Sequence, residues 1–199
     1  MKKLTVAVLL ISCFSSALGS RFPWKFGTCL RPRLSKELNT TKFFNGHWYA
    51  LKTVGNYLFD SHGSCFGTEV NLRNNGQIDL LHFQFESMFS KYAYLRGTAR
   101  AKFTKFMGAF FPAKYDFVAG LYQYEAPFAI VDTDYDNWAF VYFCNQYLGV
   151  KLEMAWMAGR DRTMSYLDKL EKTAVQLGMD PSTFSTQDNS DCPTGEPSL

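Results

Sequence analysis

Residues 64–86 read SCFGTEVNLRNNGQIDLLHFQFE. Two runs rich in β-branched, aromatic and other apolar residues, about 64–73 and 77–86, are split by Asn74-Asn75-Gly76. Asn and Gly tolerate the positive φ that a tight hairpin turn requires, so the two runs read as paired antiparallel strands. Working outward, runs of the same kind occur at about 47–54 upstream and at about 92–102, 114–120, 128–133, 138–144 and 151–159 downstream. Each is bounded by turn residues, as at Asp134-Tyr135-Asp136. Eight strands with hairpin-length connections predict an all-β domain, either a sandwich or an up-and-down barrel. No helical period separates them, which excludes parallel βαβ units.

One helical pattern follows the last strand. Leu167, Leu170, Ala174 and Leu177 recur at spacings of three and four, giving a single apolar stripe. Ser165 and Asp168 offer an N-terminal capping pair, and Gly178 and Pro181 a stop. A helix of this kind after a sheet is expected to cover an outer face of it.

The ends of the chain read differently. Lys2 and Lys3, the apolar run Leu4–Phe14 and the small residues near Gly19 form a secretory signal pattern, with cleavage expected after Gly19. Residues 20–199 then form a single domain, with 21–42 irregular and about 193–199 a disordered tail. No later stretch is apolar over a membrane-spanning length, so membrane contact is not expected. Asn39-Thr40-Thr41 is a glycosylation sequon. Without Lys2 and Lys3 the formal charge falls from +3 to +1, which argues against a nucleic-acid partner. The chain is rich in rings, with 19 Phe, 11 Tyr and 4 Trp. They suit either a core built from rings or a ring-lined cavity.

Cys13 leaves with the signal, so Cys29, Cys65, Cys144 and Cys192 remain. An even number in an exported chain implies two disulfides, with three connectivities open. A metal site is not expected, because no CxxC or HxxxH spacing occurs.

Three short motifs occur in order: Gly46-His47-Trp48 at the first strand, Thr133-Asp134-Tyr135 between the sixth and seventh, and Arg160 after the eighth. Together these resemble the signature blocks of the lipocalin family across nearly all of the mature chain. The resemblance implies an eight-stranded antiparallel up-and-down β-barrel, a calyx, with one C-terminal α-helix packed outside. It implies that Arg160 stacks on Trp48 and closes the barrel floor, with the Thr133-Asp134-Tyr135 turn beside it. The cysteine pattern is similar to the apolipoprotein D, insecticyanin and crustacyanin group, which implies Cys29–Cys144 and Cys65–Cys192.

The resemblance also sets the inward phase of the strands. It implies that Met154, Trp156 and Ala158 face the lumen on the eighth strand, and Ala139, Val141 and Phe143 on the seventh. Phe128 and Ile130 follow on the sixth, Ile78, Leu80 and His82 on the third, and Thr68 and Val70 on the second. A slip of one residue reverses any of these sets. His82 reads two ways: it hydrogen-bonds a polar end of a ligand, or it is a satisfied wall residue.

The implied function is a secreted, extracellular carrier of a small hydrophobic molecule. A pigment is expected, either a carotenoid such as astaxanthin or a bilin such as biliverdin. Transport of a fatty acid, retinoid or steroid is the alternative. Residues 103–113, with Phe103, Phe106, Met107, Phe110, Phe111 and Pro112, read as a patch near the mouth or outside: a lid, a membrane-touching loop, an interface for homo- or hetero-oligomers, or strand core. Such an interface makes an interaction or coat protein the alternative from another class. Enzyme activity and a catalytic cofactor are not expected, since paired cysteines leave no thiol nucleophile. A haem carrier needs a luminal axial histidine, and only His82 is placed to serve.

Overall fold

The computed structural model describes residues 24–32, 38–55, 63–100, 102–104, 108–117 and 122–199. The expected signal peptide at 1–19 lies outside the described residues.

Eight strands form a closed antiparallel barrel. In chain order they are β2 (Asn45–Val54), β3 (Ser64–Leu72), β4 (Gln77–Glu86), β5 (Lys91–Arg100), β7 (Gly108–Phe117), β8 (Tyr122–Thr133), β9 (Trp138–Tyr147) and β10 (Val150–Gly159). Each pairs with the next, and β10 returns to β2 through Ala155↔Val54 to Gly159↔Tyr49. Closure leaves the barrel strands no unpaired edge. Three short strands lie outside this circuit. β1 (Trp24–Phe26) pairs with the start of β10, β6 (Lys102–Thr104) folds back on β7, and β11 (Ser185–Thr186) pairs with β2. The turn after β3 forms as its Asn-Gly chemistry demands: Gly76 has φ +78° and its N–H donates to the Arg73 carbonyl.

Alternation along the strands sorts the apolar side chains into two layers. The inner layer fills the lumen and includes Trp48, Val70, Ile78, Leu80, Phe143 and Met154. The outer layer includes Trp138, Phe140, Tyr142, Ala155 and Met157. It is covered by α2 (Leu167–Leu177), whose Leu170 and Ala174 are fully buried. Gly178 ends that helix at φ +89°, the left-handed conformation glycine adopts without a Cβ penalty. The expected Ser165 cap does not form. Tyr166 occupies the cap position with no side-chain hydrogen bond, and Ser165 Oγ instead pairs with Thr163 Oγ1 at 2.9 Å.

Two disulfides, Cys29–Cys144 and Cys65–Cys192, pin the terminal segments to the wall. Closing such long loops constrains the unfolded chain, contributing about 2–5 kcal/mol each. Leu30 N–H donates to Tyr142 Oη at 2.9 Å, and Tyr142 Oη donates to Glu153 at 2.8 Å. Burial, with the Glu153 carboxylate beside it, raises the Tyr142 phenol well above its ordinary range.

Two expectations need correction. The expected disordered tail at 193–199 is instead laid on the outer wall. Tyr92 Oη donates to the Pro193 carbonyl at 2.7 Å, Arg162 pairs with Glu196, and the Leu199 N–H donates to Glu69 at 2.7 Å. The anchor is Cys192, whose disulfide to Cys65 fixes the start of the tail to β3. Of residues 103–113, those described do not form a mouth loop and fall in strands, the last of the expected alternatives. They include β6 and the first half of β7, and the β5–β7 connection lies at the floor end, with the turns after β3 and β8. Phe111 and Pro112 are buried, and Phe111 packs edge-on against Phe44 inside the barrel at 4.6 Å. Phe106 and Met107 lie outside the described residues. The strand expected at about 114–120 instead begins at Gly108 and carries Pro112 within it. In β7 it sits opposite Pro127 of β8.

Candidate functional site: the calyx

The floor is built first. Asn39 accepts from the Lys42 N–H at 3.0 Å and caps the short helix α1 (Thr40–Phe43), which crosses the barrel end. Its exposed side chain belongs to the sequon, at the floor end. Gly46 follows with φ +82°, so the chain can turn sharply into β2. The Arg160 guanidinium then lies 3.7 Å over the Trp48 ring. Its nitrogens donate to five carbonyls, those of Lys42, Phe43, Asn45, His47 and Tyr135, at 2.7–3.3 Å. Burial lowers the Arg160 guanidinium to about 10, so it stays charged at neutral pH.

Thr133, Asp134 and Tyr135 complete the floor. Thr133 Oγ1 donates to the Trp138 carbonyl at 2.7 Å and accepts from the Tyr135 N–H. Asp134 accepts from Asn137 and from the Trp138 N–H. Burial alone raises the Asp134 carboxyl, but those hydrogen bonds outweigh it and hold the group below the usual range.

Above the floor lies a partly enclosed cavity of about 100 Å³. Of the residues expected to face the lumen, Thr68, Val70, Leu80, His82, Phe128, Ile130, Val141, Trp156 and Ala158 line it. Ile78, Phe143 and Met154 also point inward, but they are packed into the luminal core rather than lining the cavity. Ala139 is buried there too.

Other lining residues went unrecognised in the sequence. Phe66 lies two residues before Thr68 and would follow from extending that strand's alternation. Phe111 and Tyr115 follow from β7 once its register is known. Phe43 and Phe44 come from α1 and its cap, where no strand period applies. Trp48, a floor residue, lines the cavity as well.

One wall is polar. Thr68 Oγ1 lies 2.7 Å from His82 Nδ1, and Tyr115 Oη lies 2.6 Å from His82 Nε2. Rings surround the imidazole: Phe66 stacks at 6.4 Å and Phe128 lies at 6.2 Å. Burial lowers His82 from 6.5 to about 4, so it is neutral at physiological pH. Haem does not fit this arrangement. Both ring nitrogens already sit within hydrogen-bond distance of hydroxyls, which leaves neither to ligate an iron.

A closed eight-stranded barrel, a Trp48–Arg160 floor, an outer helix and a ring-lined lumen define a lipocalin. Within that class, the chain belongs to the Nitrophorin family, which it matches over residues 29–199. It is 24% identical to apolipoprotein D of Macaca fascicularis over 187 residues, covering 92% of this chain and 93% of that protein. Its fold matches insecticyanin from the tobacco hornworm Manduca sexta with a TM-score of 0.67 at 18% identity, covering 84% of this chain and 89% of that one. Apocrustacyanin C1 matches with a TM-score of 0.66 at 19% identity, covering 85% and 93%.

Proposed function

We propose that this protein is a secreted carrier that holds a small hydrophobic molecule in its calyx and performs no chemistry on it. The ring-lined cavity above a sealed floor carries this reading. Apolar lining with a few placed polar groups is what a hydrophobic-ligand site needs. The signal pattern at 1–19 and two disulfides support export, since disulfides persist in oxidising compartments. With Cys29, Cys65, Cys144 and Cys192 all paired, the cavity offers no cysteine thiolate as nucleophile.

A pigment, carotenoid or bilin, is the ligand class favoured, supported by the likeness to insecticyanin and apocrustacyanin. A pigment would place one end in the inner cavity and extend toward the mouth. Glycosylation at Asn39 fits its exposed position beside the floor, away from the mouth.

Protein from its natural source tests the reading. An organic extract of the purified chain should yield a stoichiometric apolar compound, with a visible absorption band if that compound is a pigment. A colourless protein carrying extractable lipid would replace pigment by fatty acid, retinoid or steroid. A chain that yields no compound and binds no apolar fluorescent probe would overturn the carrier reading.

A further inference from the structure

The outer wall carries a second hollow, separate from the calyx. Residues 28–32 cross the wall at β9 as a strap held by three ties. Cys29 is bonded to Cys144, its N–H donates to Gln146 Oε1 at 2.8 Å, and the Leu30 N–H donates to Tyr142 Oη at 2.9 Å. Between the strap and Phe110 of β7 lies a half-open crevice of about 640 Å³, a volume within the range of small-molecule sites. The register explains the hollow. Ala129 of β8 stands opposite Phe110 on one side and Tyr142 on the other, so a methyl sits between two rings. Pro127, two residues earlier, points the same way. β8 thus presents a methyl and a pyrrolidine ring where a larger side chain would fill the space.

The polar groups of the wall are already matched. Gln146 accepts from Cys29, and Tyr142 Oη donates to Glu153, whose carboxylate also has Lys151 Nζ at 2.8 Å. No Asp or Glu of the described residues lines the crevice. The one charged side chain among its described lining residues is Arg31. Arg31 is exposed and has no hydrogen-bond or ion-pair partner among the described residues. Asp132 shares with it only the neighbouring groove beside α2, and no ion pair joins the two. The crevice therefore combines apolar walls with one unmatched positive charge. An anion is attracted to that charge and an ammonium is repelled by it.

We propose that this crevice is a second ligand site, on the outside of the barrel, that takes an amphipathic carboxylate. Its apolar body lies against Leu30, Phe110, Pro127 and Ala129, and its carboxylate meets Arg31. The planar guanidinium presents paired N–H donors that match the two oxygens of a carboxylate. The site goes beyond the carrier reading and does not depend on what the calyx holds.

The test uses the secreted chain with both disulfides formed and three probes that share one aliphatic tail: decanoate, decylamine and decanol. On isotope-labelled protein at pH 7, decanoate should shift the amide resonances of Leu30, Phe110, Ala129 and Cys144, which line the crevice. It should bind there about tenfold tighter than decylamine. Arg31→Gln should weaken decanoate about three- to fivefold and Arg31→Glu about tenfold, the scale of one exposed charge pair. Decanol should stay within about twofold in both variants. Added salt should shrink the gap between the native chain and Arg31→Gln. Because Arg31 is exposed, neither substitution disturbs the core. Decanoate shifts confined to calyx residues such as Val70 and Leu80, equal binding of amine and carboxylate, or full decanoate affinity in Arg31→Gln would each overturn the inference while the carrier reading stands. A chain that binds no decanoate at all would overturn it too, and the carrier reading would still be judged by its own extract.

Discussion

The floor of the barrel and the cavity just above it are made from the same kinds of group, yet they are finished differently. At the floor, one guanidinium meets five carbonyls and an indole ring, while the Trp48 Nε1–H donates to the Phe43 carbonyl at 3.1 Å. In the cavity, Trp156 keeps its indole N–H without a partner among the described residues. Two buried tryptophans therefore differ in what surrounds the same nitrogen. Where every donor is met by the protein's own backbone, the role is closure. Where donors are left over, the role is to meet something from outside.

The contrast can be broken at the floor first. Arg160→Met strands five carbonyls and removes the cap over Trp48. It should cost about 3–5 kcal/mol in urea unfolding, with probe affinity falling only as far as folded protein is lost. Next comes the wall tether. Cys65→Ser with Cys192→Ser frees the C-terminal segment from β3 and should cost about 3 kcal/mol. Because Cys65 lies outside the cavity, binding of an apolar fluorescent probe by the folded fraction should persist.

The buried His82 gives a smaller, pH-dependent effect. His82 has a folded value of about 4, below its ordinary 6.5. The unfolded chain therefore takes up a proton that the folded chain refuses, and stability falls as pH drops through that window. Between pH 7 and 4.5 the native protein should lose about 2 kcal/mol that His82→Gln does not lose, measured by urea unfolding at each pH. Parallel curves for the two proteins would mean that the imidazole is hydrated. Smallest of all is the tail: Glu196→Gln, which breaks the partly exposed Arg162 pair, should change stability by less than about 1 kcal/mol.

Much of this molecule was legible in the sequence because its rules are periodic. Alternation of two along a strand, with its phase set by the family resemblance at Arg160, put Met154, Trp156 and Ala158 on the inner face, where they lie. The Asn-Gly turn fixed the register of β3 with β4 from Asn71↔Asp79 to Thr68↔His82. What escaped was non-periodic. Phe44 enters the lumen from a helix cap, and Phe111 from a strand whose Pro112 reads as a breaker. The tail looks free of structure because its contacts are with side chains far away in the sequence, Tyr92 and Glu69 more than a hundred residues back. The pairing of Thr68, His82 and Tyr115 spans three strands, so no local pattern contains it.

The two facing prolines have a mechanical meaning. Pro112 and Pro127 carry no amide hydrogen, so neither can contribute a rung where β7 meets β8. On its other side β7 is held to β5 by only three residue pairs among the described residues, Gly97↔Tyr115 to Ala99↔Ala113. Among the described residues the β5–β7 seam is thus the shortest ladder around the cask. Amide exchange should be fastest there, and the wall should part along this line before the floor gives way.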